Sequence, residues 1–127
     1  MKFARNVYIL AGLWGFIVLV PIFWLVDISG HHYAPPAAYP QFFYGFLFVA
    51  MAWQLAFLII GSNPARFRPL MIATIVEKFG FVGVVAVLYA QARIPAIEAQ
   101  AGIPDFILGM LFIVAFAKTR GAGAPLT

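Results

Sequence analysis

Four long apolar runs, separated by short segments that hold most of the prolines and charges, limit what this chain can become. A helix rises about 1.5 Å per residue and a bilayer's hydrocarbon core is about 30 Å thick, so a crossing needs roughly 20 apolar residues. The runs lie at about 7–26, 43–60, 70–90 and 103–118. Within lipid every backbone N–H and C=O must find its partner inside the segment, which an α-helix achieves and an isolated strand does not. The expected fold is therefore all-α: a single four-transmembrane-helix bundle over 1–120, followed by a flexible tail at 121–127. The fourth run is the shortest. Its unbroken apolar stretch covers 106–117, and it reaches crossing length by starting at Ile103 and letting the Lys118 ammonium reach back to the headgroups.

Composition agrees. With 65% hydrophobic and 9% charged residues in 127, the chain has too little polar surface to cover a water-soluble globule. It contains no cysteine, which excludes disulfides, thiolate metal sites and a cysteine nucleophile. The net charge of +4 does not form a nucleic-acid-binding patch, because the cations stand at the ends of the apolar runs. Lys2, Arg5, Arg66, Arg68, Lys118 and Arg120 flank one set of helix ends, whereas Arg93 is alone in the alternate loops. Basic residues favour the cytoplasmic side, so both termini are expected there, in a bacterial cytoplasmic (inner) membrane. The opening MKFARNVYILAGLWGFIVLV reads as a retained signal anchor, since its apolar run exceeds a typical signal-peptide core and no small-x-small cleavage site closes it.

Lipid tails supply no hydrophobic drive between helices, so small residues that let backbones approach are expected at the contacts. Gly12 and Gly15, Ala52 and Ala56, and the series Gly80, Gly83, Ala86 and Ala90 have that spacing. Pro21 removes one hydrogen bond from the first helix and is expected to kink it. Tyr33, Tyr39, Phe42, Phe43 and Tyr44 suit an interfacial aromatic belt. His31 and His32 are adjacent in a loop and lack a ligand spacing, so no metal site is assigned to them. Arg66 and Arg68 read as orienting charges, with anionic lipid headgroups as the alternative partner.

One feature breaks the pattern. Glu77 and Lys78 stand together inside the third run, in MIATIVEKFGFVGVVAVLYA. Glu77 lies roughly 10 Å in from the expected cytoplasmic end, and Gln54 on the second run lies at nearly the same depth. Ala73, Thr74 and Gly80 share a helix face with Glu77, which would aim its carboxylate into the bundle. Lys78, turned by about 100°, would send its amine toward the headgroups. A carboxylate at that depth gains a partner or takes up a proton, because desolvation disfavours its charged form. Three readings stay open. Glu77 is a structural hydrogen-bonder tied to Gln54, with the indoles of Trp14 and Trp53 near that level. It is the polar end of a pocket for a lipophilic ligand such as a quinone, a sterol-like molecule or a lipid. Or it is an acid or base in proton transfer or isomerisation within the membrane. The candidate ligand-binding residues are thus Gln54, Glu77, Trp53 and Trp14, with Glu77 the candidate catalytic group and the cofactor left open.

The stretches YPQFFYGFLFVAMAWQ, NPARFRPLM and EKFG resemble a pattern in small four-helix bacterial membrane proteins of uncharacterised activity, over the second and third runs. More distantly, the four-span layout is similar to that of DoxX-like membrane proteins. That resemblance implies a quinone-linked oxidoreductase subunit and carries over no catalytic residue. Vitamin K epoxide reductase-like enzymes need a Cys-x-x-Cys pair that is absent here, and emopamil-binding-type isomerases use several intramembrane acids and histidines where only Glu77 is available. The sequence favours a non-catalytic accessory subunit or lipophilic-ligand binder, with a membrane protein partner or a homo-oligomer as further possibilities. A small membrane enzyme is the alternative. A channel or transporter ranks third, because four short helices offer few polar groups to line a path.

Overall fold

The computed structural model describes residues 1–29 and 40–121, the side chains of 23–29 and 40 excepted. His31, His32, Tyr33, Tyr39 and the expected tail beyond Gly121 lie outside the described residues. The described chain folds into α1 (Lys2–Ser29), α2 (Pro40–Ser62), α3 (Leu70–Ala90), a single turn α4 (Ala96–Ala99) and α5 (Gly102–Lys118). No strand occurs among the described residues. Four helical segments, Lys2–Ile22, Gln41–Ser62, Leu70–Ala90 and Ala96–Lys118, are long and apolar enough to cross a membrane. The fourth begins at Ala96 rather than Ile103, because α4 stacks a helical turn ahead of α5 with only Gln100 and Ala101 between them. α1 runs on through Pro21 to Ser29.

Each connection has a local cause. Between α2 and α3, the Asn63 side chain accepts the Arg66 N–H at 3.2 Å and its backbone carbonyl accepts from Phe67 at 3.1 Å. The chain then turns into α3 behind Pro69, whose missing N–H costs nothing at a helix start. At the other end of α3, Ala92 adopts φ 57°, with its N–H bonded to the Tyr89 carbonyl and that of Arg93 to the Leu88 carbonyl. This is a Schellman stop, built here on alanine where glycine is usual.

The helices pair as two hairpins, α1 on α2 and α3 on α5, joined mainly through α1 and α5 while α2 and α3 barely touch. Gly12 and Gly15 close the first hairpin as expected. A Cβ at Gly12 would stand 2.9 Å from the Gln54 carbonyl oxygen, and one at Gly15 would overlap the Gln54 amide. The expected packing face on α3 is not used. A Cβ at Gly80 or Gly83 would meet nothing, Ala86 and Ala90 are exposed, and Ala52 on α2 is exposed as well. Instead α3 buries Met71, Thr74 and Lys78, a stripe one residue round from the face containing Glu77.

The interior is uneven along its length. Ala4, Tyr8, Ala11, Phe57, Ile60, Met71, Phe112 and Ala115 form a closed core at the end where Phe3 meets Lys118. Tyr8 stacks on Phe112 at 4.3 Å and its hydroxyl shares a 2.8 Å hydrogen bond with Thr74. Arg68 caps the same end of α5, donating to the Phe116 carbonyl at 2.9 Å and to Thr119 Oγ1 at 3.2 Å, its guanidinium 3.8 Å above the Phe116 ring. The other half of the bundle holds a cavity. Outward, Ile17, Phe48 and Val76 are exposed, a surface suited to lipid and not to water.

Candidate functional site

Lys78 sits where the packed half ends. It is only 4% exposed, its ammonium 5.2 Å from the centre of the Phe57 ring that roofs the core. On the cavity side it donates to Asp105 Oδ1 at 3.2 Å and lies 3.6 Å from Glu77 Oε2. Helix geometry explains the meeting. Lys78 is twelve residues before the end of α3 at Ala90 and Asp105 nine residues after Ala96, so they lie roughly 18 Å and 13–14 Å from the helix ends that face the connecting turn. α3 and α5 run antiparallel around the turn at Gln91–Pro95, which leaves Asp105 about one helical turn nearer that turn than Lys78, a gap the lysine stem spans. Gly109 admits the contact, since a Cβ there would lie 2.8 Å from the Phe79 ring and 3.3 Å from the Lys78 Cβ.

Two sequence expectations change here. Lys78 does not reach for the headgroups; its stem lies on the buried stripe, where turning outward would abandon two carboxylates for lipid. Asp105, two residues into the expected run of 103–118, lies deeper than that run implies, because helix begins at Ala96. Neither residue is among the candidate site residues, although the signal is present: beyond the turn that ends α3, an acid stands within about one helical turn of the level of Lys78.

The cavity above this cluster has a volume of about 230 Å³ and draws its wall from all four long helices. Among the described residues Gln54, Glu77, Lys78 and Asp105 are its polar lining, and Trp14, Leu19, Phe46, Phe81 and Leu108 are among its apolar walls. Gln54 is buried against Gly15, and its Nε2 donates back to the Ala50 carbonyl at 2.9 Å. Glu77 Oε2 is buried and has no hydrogen-bond partner among the described residues. Of the candidate residues, Gln54, Glu77 and Trp14 thus share one cavity. Trp53 lies elsewhere, packed beside the closed core with its ring 6.4 Å from that of Phe57. No group of three metal-ligating side chains occurs among the described residues.

Chemically, the site offers one ammonium, two carboxylates and a carboxamide at the foot of an apolar chamber. Such a constellation can hold the polar end of a lipophilic molecule, and an acceptor without a donor can take a proton from one. No known protein family, characterised protein or solved structure matches this chain.

Proposed function

We propose that the protein is a multi-pass component of a bacterial cytoplasmic membrane, both ends in the cytoplasm, that binds a lipophilic molecule inside its bundle. Its polar end meets Glu77, Lys78, Asp105 and Gln54. The observation that carries this is the coincidence of the cavity with the buried ion cluster: groups so expensive to place among apolar helices stand where a ligand could reach them. An ion cluster serving stability alone would sit as well in the closed half. The basic end, where Lys118 and Arg68 converge on Phe3 and Phe116, supports the orientation. The outward Gly80, Gly83 and Ala86 face gives a partner helix or a second copy room to approach, which fits an accessory subunit.

A second reading has its own support. Glu77 Oε2, an acceptor that receives no hydrogen bond from the described residues, is the group in the cavity best suited to act as acid or base, as in an isomerase or a quinone-linked oxidoreductase component. Native mass spectrometry of the protein released gently from its own membrane tests the binding function. One small molecule per chain is expected, lost in Leu108→Trp, which fills the chamber, and in Glu77→Ala. A bare chain, or a fixed protein partner with no small molecule, points to a scaffold. If the molecule stays bound in Glu77→Gln but is no longer converted, the enzyme reading replaces the binder.

A further inference from the structure

Resting on that binding function, we infer that the cavity is built for a lipophilic cation, a primary alkylammonium or an amine of like shape. The charge count comes first. Among the described side chains that line the chamber, Lys78 is the sole cation and faces two acids, Glu77 and Asp105. With both acids ionised the site carries one uncompensated negative charge in an apolar bundle, and low polarity makes such a charge costly. A ligand ammonium balances it.

Hydrogen bonding points the same way. Asp105 takes the Lys78 hydrogen bond, whereas Glu77 has the ion pair at 3.6 Å and a buried Oε2 that no described donor reaches. The site therefore wants a donor rather than an acceptor. A carboxylate ligand would add a third negative charge, and a neutral ketone or ester would leave Glu77 as it is. The walls suit a cation as well, since Trp14, Phe46 and Phe81 present aromatic rings that attract cations. At about 230 Å³ the chamber is smaller than the roughly 300–1,000 Å³ of sites that enclose a whole drug-sized ligand. It holds a head and its first carbons, and the rest of a chain would continue outside.

Three probes of one chain length separate charge from hydrophobicity: dodecylamine, dodecanol and dodecanoic acid, each titrated onto the detergent-solubilised full chain and read by native mass spectrometry. The amine should form a one-to-one adduct at a concentration at least about tenfold below the alcohol, and the acid none. Glu77→Gln and Asp105→Asn each balance the Lys78 charge with one acid, so in either variant amine and alcohol should bind within about twofold of each other. Alcohol binding by the variants shows that the chamber is still folded. Equal binding of amine and alcohol to the unaltered chain overturns the cation inference and leaves the lipophilic chamber standing, with the excess charge held by a proton. An amine preference that survives both substitutions overturns it too. No adduct with any probe sinks both the cation and the chamber.

Discussion

Lys78 and Asp105 meet across the α3–α5 interface, the ammonium nitrogen 3.2 Å from a carboxylate oxygen, at the level where the packed half of the bundle gives way to its cavity. The contact ties the second hairpin together at mid-helix. It also brings a lysine and an aspartate, each of which would be expensive alone, to the one place where a third charge, Glu77, lies in reach.

Because Lys78 is the shared partner, its loss should cost more than the loss of either acid. Lys78→Met leaves two carboxylates without a cation and is expected to destabilise the fold by about 3–5 kcal/mol. Asp105→Asn keeps an acceptor for the ammonium and preserves the Lys78–Glu77 pair, so a loss of about 1–2 kcal/mol is expected. Reversible unfolding in mixed micelles with rising SDS measures both. An equal cost for the two would show that the Glu77 pair contributes nothing.

Glycines on the two faces should respond in opposite directions. Gly15→Ala pushes a methyl into the Gln54 amide, and overpacking of this kind costs about 1–3 kcal/mol while displacing a residue that lines the cavity. Gly80→Ala meets open space and gains helix propensity, so it should be neutral or stabilising by up to about 1 kcal/mol. The same SDS unfolding assay compares them. A destabilised Gly80→Ala would mean that a neighbouring helix, from a second copy or another protein, packs on that face.

The contrast shows how far the sequence could be read. The four crossing segments were legible because length and apolarity set them directly, and α3 begins and ends where the run of 70–90 does. Gln54 and Glu77 were legible as polar groups at a common depth. Which face of α3 turns inward was not, because Thr74 lies one turn from both Glu77 and Lys78 and fits either choice. Only the partner decides, and Asp105 is 27 residues away. The fourth run reads as short because its unbroken apolar stretch covers only 106–117, yet a proline near a helix start, Pro104, and an acid in a first turn, Glu98, both favour helix. A start at Ile103 puts Asp105 only two residues into the run, about 3 Å from its end, and so hides its place beside Lys78.

The stop of α3 is open to improvement. Ala92 holds φ 57°, where a Cβ costs about 1 kcal/mol relative to glycine, and it does so because the Schellman bonds to Leu88 and Tyr89 end the helix there. Ala92→Gly should therefore stabilise the protein by about 0.5–1 kcal/mol. If it does not, the added freedom of the unfolded chain outweighs the relief, and the same variant with Gln91 held helical by Gln91→Ala should recover the gain.

Orientation can be tested without background, since the chain has no cysteine of its own. Ser62 and Gln91 are exposed at opposite ends of the α2–α3 unit, Ser62 at the end that carries Arg66 and Arg68 and Gln91 beside Arg93. In intact cells a membrane-impermeant maleimide should label Gln91→Cys and spare Ser62→Cys, which should react only after the membrane is opened. The reverse pattern would place the basic end outside, against the strong bias of arginine and lysine for the cytoplasmic face. Equal labelling of both in intact cells would show a dual orientation. The cavity, which lies in the half of the bundle away from the basic end, would then face both sides of the membrane in different copies.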